Sequence, residues 1–230
     1  VTGVQTCALP IFSAYMSLGF LSWVLAATME VVYLGVLGTP ALAALGFTMP
    51  VTMVMMSVAN GLGIGASSVI ARRLGAGDRE SVRRLCTHAI LLGLAIVAVL
   101  AGIGVAFSSH LFVLLGADAE IRVLIDQYMF IWFVGIPFFA TTTVNTNLMR
   151  ATGNASVPGI VMATGSLIQV VLGPILIFGW FGVPALGIAG AAWAYVLSRI
   201  ASVGLYGLLL MRDRLMTLKL TGMFERSEEH

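Results

Sequence analysis

The sequence predicts an all-α membrane protein with six membrane-spanning helices, and three observations support this prediction. Hydrophobic residues occupy 59% of the 230 positions and charged residues only 10%, whereas soluble domains carry about 25% charged residues. Six apolar runs reach the roughly 20 residues that a helix needs to cross a bilayer. Only short connectors separate these runs, which leaves no room for a soluble domain.

Turn and capping residues close each predicted span. The connectors contain Gly38-Thr39-Pro40, then "GAGD" at 75–78, "GAD" at 116–118, "ATGNASVP" at 151–158 and "FGVPALG" at 181–187, all of them typical turn sequences. Short connectors predict that consecutive helices run antiparallel as neighbours. The predicted spans are Ser13 to Leu37, Leu45 to Ala71, Val82 to Ser108, Glu120 to Met149, Pro158 to Phe181 and Gly187 to Met211.

Both ends of the chain are predicted to be foreign to the protein. The opening "VTGVQTCALPI" can be encoded by a sequencing-library adapter, and the final "RSEEH" by the reverse complement of the same adapter. We therefore assign residues 1–11 to adapter translation and residues 12–220 to the membrane lobe. Residues 221–230 form a truncated connector, of which 226–230 are again non-native. Cys86 is then the one genuine cysteine, so an internal disulfide is excluded.

The basic residues predict how the helices are oriented. Short cytoplasmic loops are enriched in Lys and Arg, and nearly all basic residues of the chain fall on one side of the predicted helices. Both authentic ends are therefore predicted to be cytoplasmic. A net charge of +2 that is concentrated in connectors gives no support to nucleic-acid binding. The basic residues on this side are Arg72, Arg73, Arg79, Arg83, Arg84, Arg150, Arg212, Arg214 and Lys219.

Glu30 is the candidate for chemistry in the first span, because it is the only carboxylate before Asp78. It lies seven residues before Leu37, hence about 10 Å below the outer end of the helix. An ionised carboxylate at the centre of a membrane helix costs about 2.5 to 3.5 kcal/mol, and such residues mark ion or proton pathways. A proton-coupled carrier needs such a carboxyl group. The alternative is a structural carboxyl group that bonds to a neighbouring helix.

Four further polar residues inside the predicted spans are candidates for a functional site. Arg199 is near mid-depth of the sixth span, and its depth differs from that of Glu30 by about 8 Å. Direct contact would require both side chains to stretch, so backbone carbonyls or water are equally good partners for Arg199. Gln169, Asn145 and Tyr195 are expected either to bond across helices or to line a cavity.

Motifs of enzymes and metal sites do not occur in this sequence. His88 and His110 are isolated and have no accompanying ligand set. We find neither a phosphate-binding loop nor a nucleophile motif. The sequence therefore predicts that the protein is not an enzyme and uses no cofactor.

Several motifs resemble those of the multidrug and toxic compound extrusion family of secondary transporters. They are "LGTPALAALGFTMP", "NGLGIGASSVIARRLGAGDRESVRR", "GPILIFG" and "GVPALGIAGAAWA". The resemblance implies two six-helix lobes around a central cavity, which export organic compounds in exchange for protons or sodium. This chain would be the amino-terminal lobe, in the inner (plasma) membrane. Its partners would be the lipid bilayer, a small organic substrate and a missing carboxyl-terminal lobe.

The same resemblance assigns roles to individual residues. Family members often carry "VDTIFVG" in the first helix, where this chain reads "MEVVYLG", so Glu30 takes the position of an aspartate implicated in cation coupling. In their fifth helix "NxVxDP" is common; here the amide is kept as Gln169, and Gly173 replaces the carboxylate. Tyr195 stands where a threonine is common. Gln169, Asn145 and Tyr195 would shape the site of Glu30, and Arg199 would act on its charge or orient a helix.

Two other functions stay open at this point. A flippase for lipid-linked oligosaccharides, from the same superfamily, would need a cavity lined by several basic residues, and the spans offer Arg199 alone. A non-transporting membrane scaffold would need no coupling carboxylate at Glu30.

Overall fold

The computed structural model describes residues 2–77, 79–151 and 154–225, and the predicted foreign segment 226–230 lies outside them. The described backbone is helical throughout apart from its connectors. Residues 2–11 continue the first helix, and their foreign origin stays a prediction. The elements are α1 (Thr2–Leu37), α2 (Thr39–Gly75), α3 (Arg79–Leu114), α4 (Ala119–Ala151), α5 (Ser156–Phe178), a 3₁₀ turn (Trp180–Gly182) and α6 (Ile188–Glu225).

Six helical segments in the described part of the chain are long and apolar enough to cross a membrane. This confirms the prediction of an all-α membrane protein with six spans. Two of the segments are several residues longer than a bilayer requires. The segments are Ser13–Leu37, Thr39–Gly75, Arg84–Ser108, Ala119–Ala151, Ser156–Phe178 and Ile188–Leu209.

Several helix ends differ from the prediction, and glycines explain two of these differences. α2 begins at Thr39 instead of Leu45, because Gly38 turns the chain with a φ of 129° and Pro40 fits the first turn, where no N–H donor is needed. α5 ends at Phe178 instead of Phe181. Gly179 adopts a φ of 76° there, and its N–H donates to the Ile175 carbonyl at 3.1 Å, a left-handed helix cap.

The Gly173-Pro174 pair does not interrupt α5, although a proline inside a helix usually kinks or breaks it. Pro174 has no N–H and leaves the Val170 carbonyl without its helical donor. The Tyr33 hydroxyl of α1 donates to this carbonyl at 3.2 Å. A side chain at Gly173 would place its first carbon 3.0 Å from the Tyr33 ring. The missing side chain therefore admits the residue that satisfies the freed carbonyl.

The helices do not all pack against their neighbours in sequence. α4 lies at the centre, against α2, α3 and α6, while α5 packs between α1 and α6. The contacts of α1 with α2 and of α4 with α5 are minor, although the short connectors predict neighbours there. Trp132, Met129 and Ile136 of α4 are fully buried in the core of the lobe.

Glycines allow the helices to approach closely. A side chain at Gly159 of α5 would collide with the backbone of Tyr15 in α1, and one at Gly19 of α1 would press on Gly159. A side chain at Gly190 of α6 would meet the backbone of α5 at Leu176. Small residues at such contacts are typical of membrane helix packing, in which van der Waals contact replaces the hydrophobic effect.

We predict that Gly159→Ala destabilises the protein by about 1 to 3 kcal/mol, because α1 must move away from α5. The matched control is Gly35→Ala, since Gly35 of α1 has open space where its side chain would be. Thermal unfolding of the purified protein in detergent measures both variants. Equal melting temperatures for the two variants would contradict this account of the α1–α5 contact.

Candidate functional site

The Glu30 carboxylate joins three helices through two hydrogen bonds. The Tyr128 hydroxyl of α4 donates to its Oε1 at 3.0 Å. The Gln169 amide of α5 donates through Nε2 to its Oε2 at 3.1 Å. Each carboxylate oxygen of α1 thus has a partner on a different helix, which confines all three side chains to one geometry.

Both donors are buried, which explains why they face the carboxylate. Tyr128 is 4% exposed and Gln169 is 8% exposed. A buried polar group that lacks a partner costs about 1 to 3 kcal/mol, and Glu30 supplies an acceptor to each of them. Gln169 thus lies beside Glu30 in the structure, as expected from the sequence.

Tyr128 is not among the residues that the sequence singles out. A signal for it exists, because helix geometry places it about 14 Å below the outer end of α4 and Glu30 about 10 Å below the outer end of α1. These similar depths make contact possible. Depth alone does not indicate which faces of α1 and α4 meet, so Tyr128 could be identified only after the helices were packed.

A cavity of about 130 Å³ borders Glu30, and we call it the Glu30 cavity. Its walls include Thr48, Trp132 and Tyr195, from α2, α4 and α6. The Tyr195 hydroxyl is buried and has no hydrogen-bond partner among the described residues. This hydroxyl is therefore available to a group that enters the cavity, as the prediction for Tyr195 requires.

A smaller space lies on another side of Glu30, between α1, α5 and α6. Its volume is about 10 Å³, close to the space that one water molecule needs. Tyr33, Gln169 and Gly173 are among the residues that line it. Two spaces therefore border the carboxyl group of Glu30. Only the larger of these two has room for more than one water molecule.

Arg199 lies one helical turn beyond Tyr195 and packs on its ring. The guanidinium carbon is 5.0 Å from the centre of the Tyr195 ring, within the range of a cation–π contact. Tyr195 in turn stacks on Trp132, with ring centres 6.2 Å apart. Among the described residues no salt bridge joins Arg199 to Glu30, and Arg199 faces a different cavity.

The structure does not bring Asn145 to the carboxylate. Asn145 follows Tyr128 by 17 residues on α4, hence by about 25 Å along the helix axis. It is half-buried and lines neither the Glu30 cavity nor the cavity of Arg199. The prediction that Asn145 shapes the Glu30 site is therefore not supported by the geometry, because both residues lie at fixed positions on long helices.

The chemistry available at Glu30 suits a proton or a small hard cation. A carboxylate, an amide and two phenol groups offer oxygen ligands, the kind that hard cations prefer. Within the described part of the chain, no group of three or more His, Cys, Asp or Glu side chains could hold a metal ion. A transition-metal centre therefore has no set of ligands in these residues.

Comparisons with known proteins match this arrangement of helices. The MatE family profile matches residues 14–175. A Shewanella oneidensis protein named FAD transporter is 37% identical over 179 residues, which cover 78% of this chain and 40% of that protein. The multidrug export protein MepA of Staphylococcus aureus is 28% identical over 203 residues, covering 88% of this chain and 44% of MepA.

Solved structures give the same result. The Vibrio cholerae MATE transporter VcmN in its bent form superposes with a TM-score of 0.82 and 32% identity, over 89% of this chain and 46% of that one. A MOP superfamily transporter from Pyrococcus furiosus superposes with a TM-score of 0.80 and 30% identity, over 88% and 44%. This chain therefore spans less than half the length of each of these relatives.

We predict that Tyr128→Phe lowers the stability of the protein by about 1.5 to 3 kcal/mol, the range for hydrogen bonds to charged groups. The matched control is Tyr15→Phe, since Tyr15 is 36% exposed. A double-mutant cycle with Glu30→Ala, followed by thermal unfolding in detergent, isolates the pair. If Tyr128→Phe costs the same with and without the Glu30 carboxylate, the hydrogen bond does not tie α1 to α4.

Proposed function

Because this chain belongs to the multidrug and toxic compound extrusion family, whose members are transporters, we propose that it is the amino-terminal lobe of a secondary antiporter. The whole protein would export amphipathic organic compounds in exchange for protons or sodium ions. Its relatives extend over more than twice the matched length, so a second lobe would complete the substrate pathway.

The observation that carries this proposal is the position of Glu30 between α4 and α5. When ionised, its carboxylate accepts hydrogen bonds from both Tyr128 and Gln169. When protonated, the same group carries an O–H donor on one oxygen, and the bonds from Tyr128 and Gln169 lose the strength that a charged acceptor gives them. A change of charge at Glu30 therefore changes how strongly three helices are held together.

Such a change can drive alternating access. A bound ion shifts the balance between two conformations only as far as its affinities for them differ. In our proposal, the occupied and empty states of Glu30 favour different packings of α1 against α4 and α5. Substrate would bind better to the packing that the ion does not favour, so that uptake of the ion and release of substrate alternate.

The choice between proton and sodium depends on the oxygen atoms around Glu30. Protonation needs only the carboxylate, whereas sodium needs several oxygen ligands at once. The Gln169 amide and the hydroxyl groups of Tyr128 and Tyr195 could contribute these. Transport driven separately by a proton gradient and by a sodium gradient distinguishes the two ions.

We predict that Glu30→Gln in the full-length protein lowers gradient-driven export by at least about tenfold, equivalent to about 1.4 kcal/mol of lost coupling. Glu30→Asp should keep part of the activity, since it keeps the charge. The matched control is Glu120→Gln, which removes an exposed carboxylate from the first turn of α4. Uptake of a fluorescent drug into proteoliposomes with an imposed pH or sodium gradient measures the effect. Full coupling in Glu30→Gln would overturn the coupling role of Glu30, and no gradient-driven export by the unaltered full-length protein would favour a scaffold.

The substrate has two candidates on the present observations. The relative from Staphylococcus aureus is named a multidrug export protein, and the relative from Shewanella oneidensis an FAD transporter. The first name supports export of varied organic compounds, and the second supports export of a flavin. A lipid-linked oligosaccharide would need a cavity lined by several basic residues. The cavity of Arg199 has two, Arg150 and Arg199, so this alternative has less support than the other two substrates.

The distribution of Arg residues supports an inner-membrane protein whose amino terminus is cytoplasmic. We predict that Ala76→Cys, in the α2–α3 connector, reacts with a membrane-impermeant maleimide only after cells are permeabilised. Leu115→Cys, in the α3–α4 connector, should react in intact cells. Both variants are made in a background that lacks other reactive cysteines. The opposite labelling pattern would invert the proposed topology.

A further inference from the structure

A second cavity, of about 290 Å³, lies beside Arg199, and we call it the Arg199 cavity. Five helices contribute to its walls: α1, α2, α4, α5 and α6. It is separate from the coupling site, because Glu30, Tyr128 and Gln169 do not line it. Trp23 and Met56 line both cavities, so the two spaces are adjacent.

The walls of the Arg199 cavity carry positive charge without a matching negative charge. Arg150 and Arg199 both line it, and none of its lining residues is a carboxylate. Arg199 is only 8% exposed, and its Nε atom is buried with no hydrogen-bond partner among the described residues. A buried donor that lacks an acceptor costs about 1 to 3 kcal/mol, and the contact of the guanidinium with the Tyr195 ring does not supply an acceptor to Nε.

Neutral donors line the same cavity. One amide N–H of Asn60 is used by the Met56 carbonyl at 3.0 Å, and one of Asn147 by the Thr143 carbonyl at 3.0 Å. Each amide group has two N–H donors, so each retains one. Together with the guanidinium groups, these donors suit an anion with several oxygen atoms, and guanidinium groups bind phosphate and carboxylate through paired hydrogen bonds.

The remaining walls are aromatic. Phe20 and Trp23 of α1 and Phe139 of α4 line the cavity beside the polar residues. Flat ring systems stack favourably on such side chains. The cavity thus combines a surface for an aromatic ring with a cluster of donors for an anion.

We propose that the Arg199 cavity is an anion subsite that binds the phosphate group of an aromatic phosphate ester. This inference rests on the proposed export function, because it names the substrate class of the exporter. Arg199 supplies the buried charge and Arg150 the charge at the exposed end of α4. The aromatic side chains hold the ring. An organic cation would meet two like charges in this cavity and bind elsewhere.

Flavin mononucleotide and riboflavin form a matched pair of probes, since they share one fluorescent ring system and differ by a phosphate group. We expect the full-length protein to bind flavin mononucleotide at least about tenfold more tightly than riboflavin, equivalent to about 1.4 kcal/mol. Arg199→Gln should abolish this preference and leave riboflavin binding unchanged. Arg199→Lys should keep part of it, because it keeps the charge but not the paired donors. Quenching of flavin fluorescence in detergent measures binding.

The matched control is Arg122→Gln. Arg122 also has a buried Nε without a partner among the described residues, but it lines neither cavity. Equal affinities of the unaltered protein for the two flavins would overturn the subsite, as would an equal loss of preference in Arg122→Gln. If Arg199→Gln does not fold, Arg150→Gln decides: a weaker preference supports the subsite and an unchanged preference overturns it.

Transport measurements separate this inference from the proposed function. Gradient-driven drug export with equal binding of both flavins would leave the antiporter standing and remove the subsite. Phosphate-dependent binding through Arg199, with no export of any compound by reconstituted full-length protein, would keep the subsite and overturn the antiporter.

Discussion

Inside a membrane every polar group needs a partner from the protein itself, and this constraint organises the lobe around Glu30. The carboxylate of α1 reaches Tyr128 on α4 and Gln169 on α5. Through Glu30, these two bonds connect α4 to α5, and those two helices barely touch each other directly. The charge of one side chain therefore affects the junction of α4 with both α1 and α5. This junction is the basis of the coupling role that we propose for Glu30.

The same constraint explains the fifth helix. Pro174 frees the carbonyl of Val170, and the Tyr33 hydroxyl satisfies it from α1. The absence of a side chain at Gly173 makes room for the Tyr33 ring. The resemblance to the family implies that other members often carry a second carboxylate at the position of Gly173. Here the Tyr33 ring occupies that space, so the site keeps one acid, and Tyr33 adds a hydrogen bond between α1 and α5 to the one from Gln169.

Much of the fold could be predicted because apolar runs are local features of the sequence. The six spans follow from their length, and the Glu30–Gln169 pair was anticipated by resemblance. The contact of Tyr128 with Glu30 could not be predicted, because the way in which two helices face each other depends on their packing. Asn145 was misplaced for the same reason, since a polar residue within a span can face any of several neighbours. The ends of α2 and α5 depend on single glycines whose backbone angles are not visible in composition.

Trp23 and Met56 belong to the boundary of both cavities. A large ligand that displaces the Trp23 indole in the Arg199 cavity therefore changes the volume of the Glu30 cavity. The two compartments consequently cannot be reshaped independently. In the proposed transporter, binding of substrate in one cavity would then affect binding of the coupling ion in the other by displacing Trp23 or Met56. This effect would need no direct contact, and among the described residues no hydrogen bond or salt bridge joins Arg199 to Glu30.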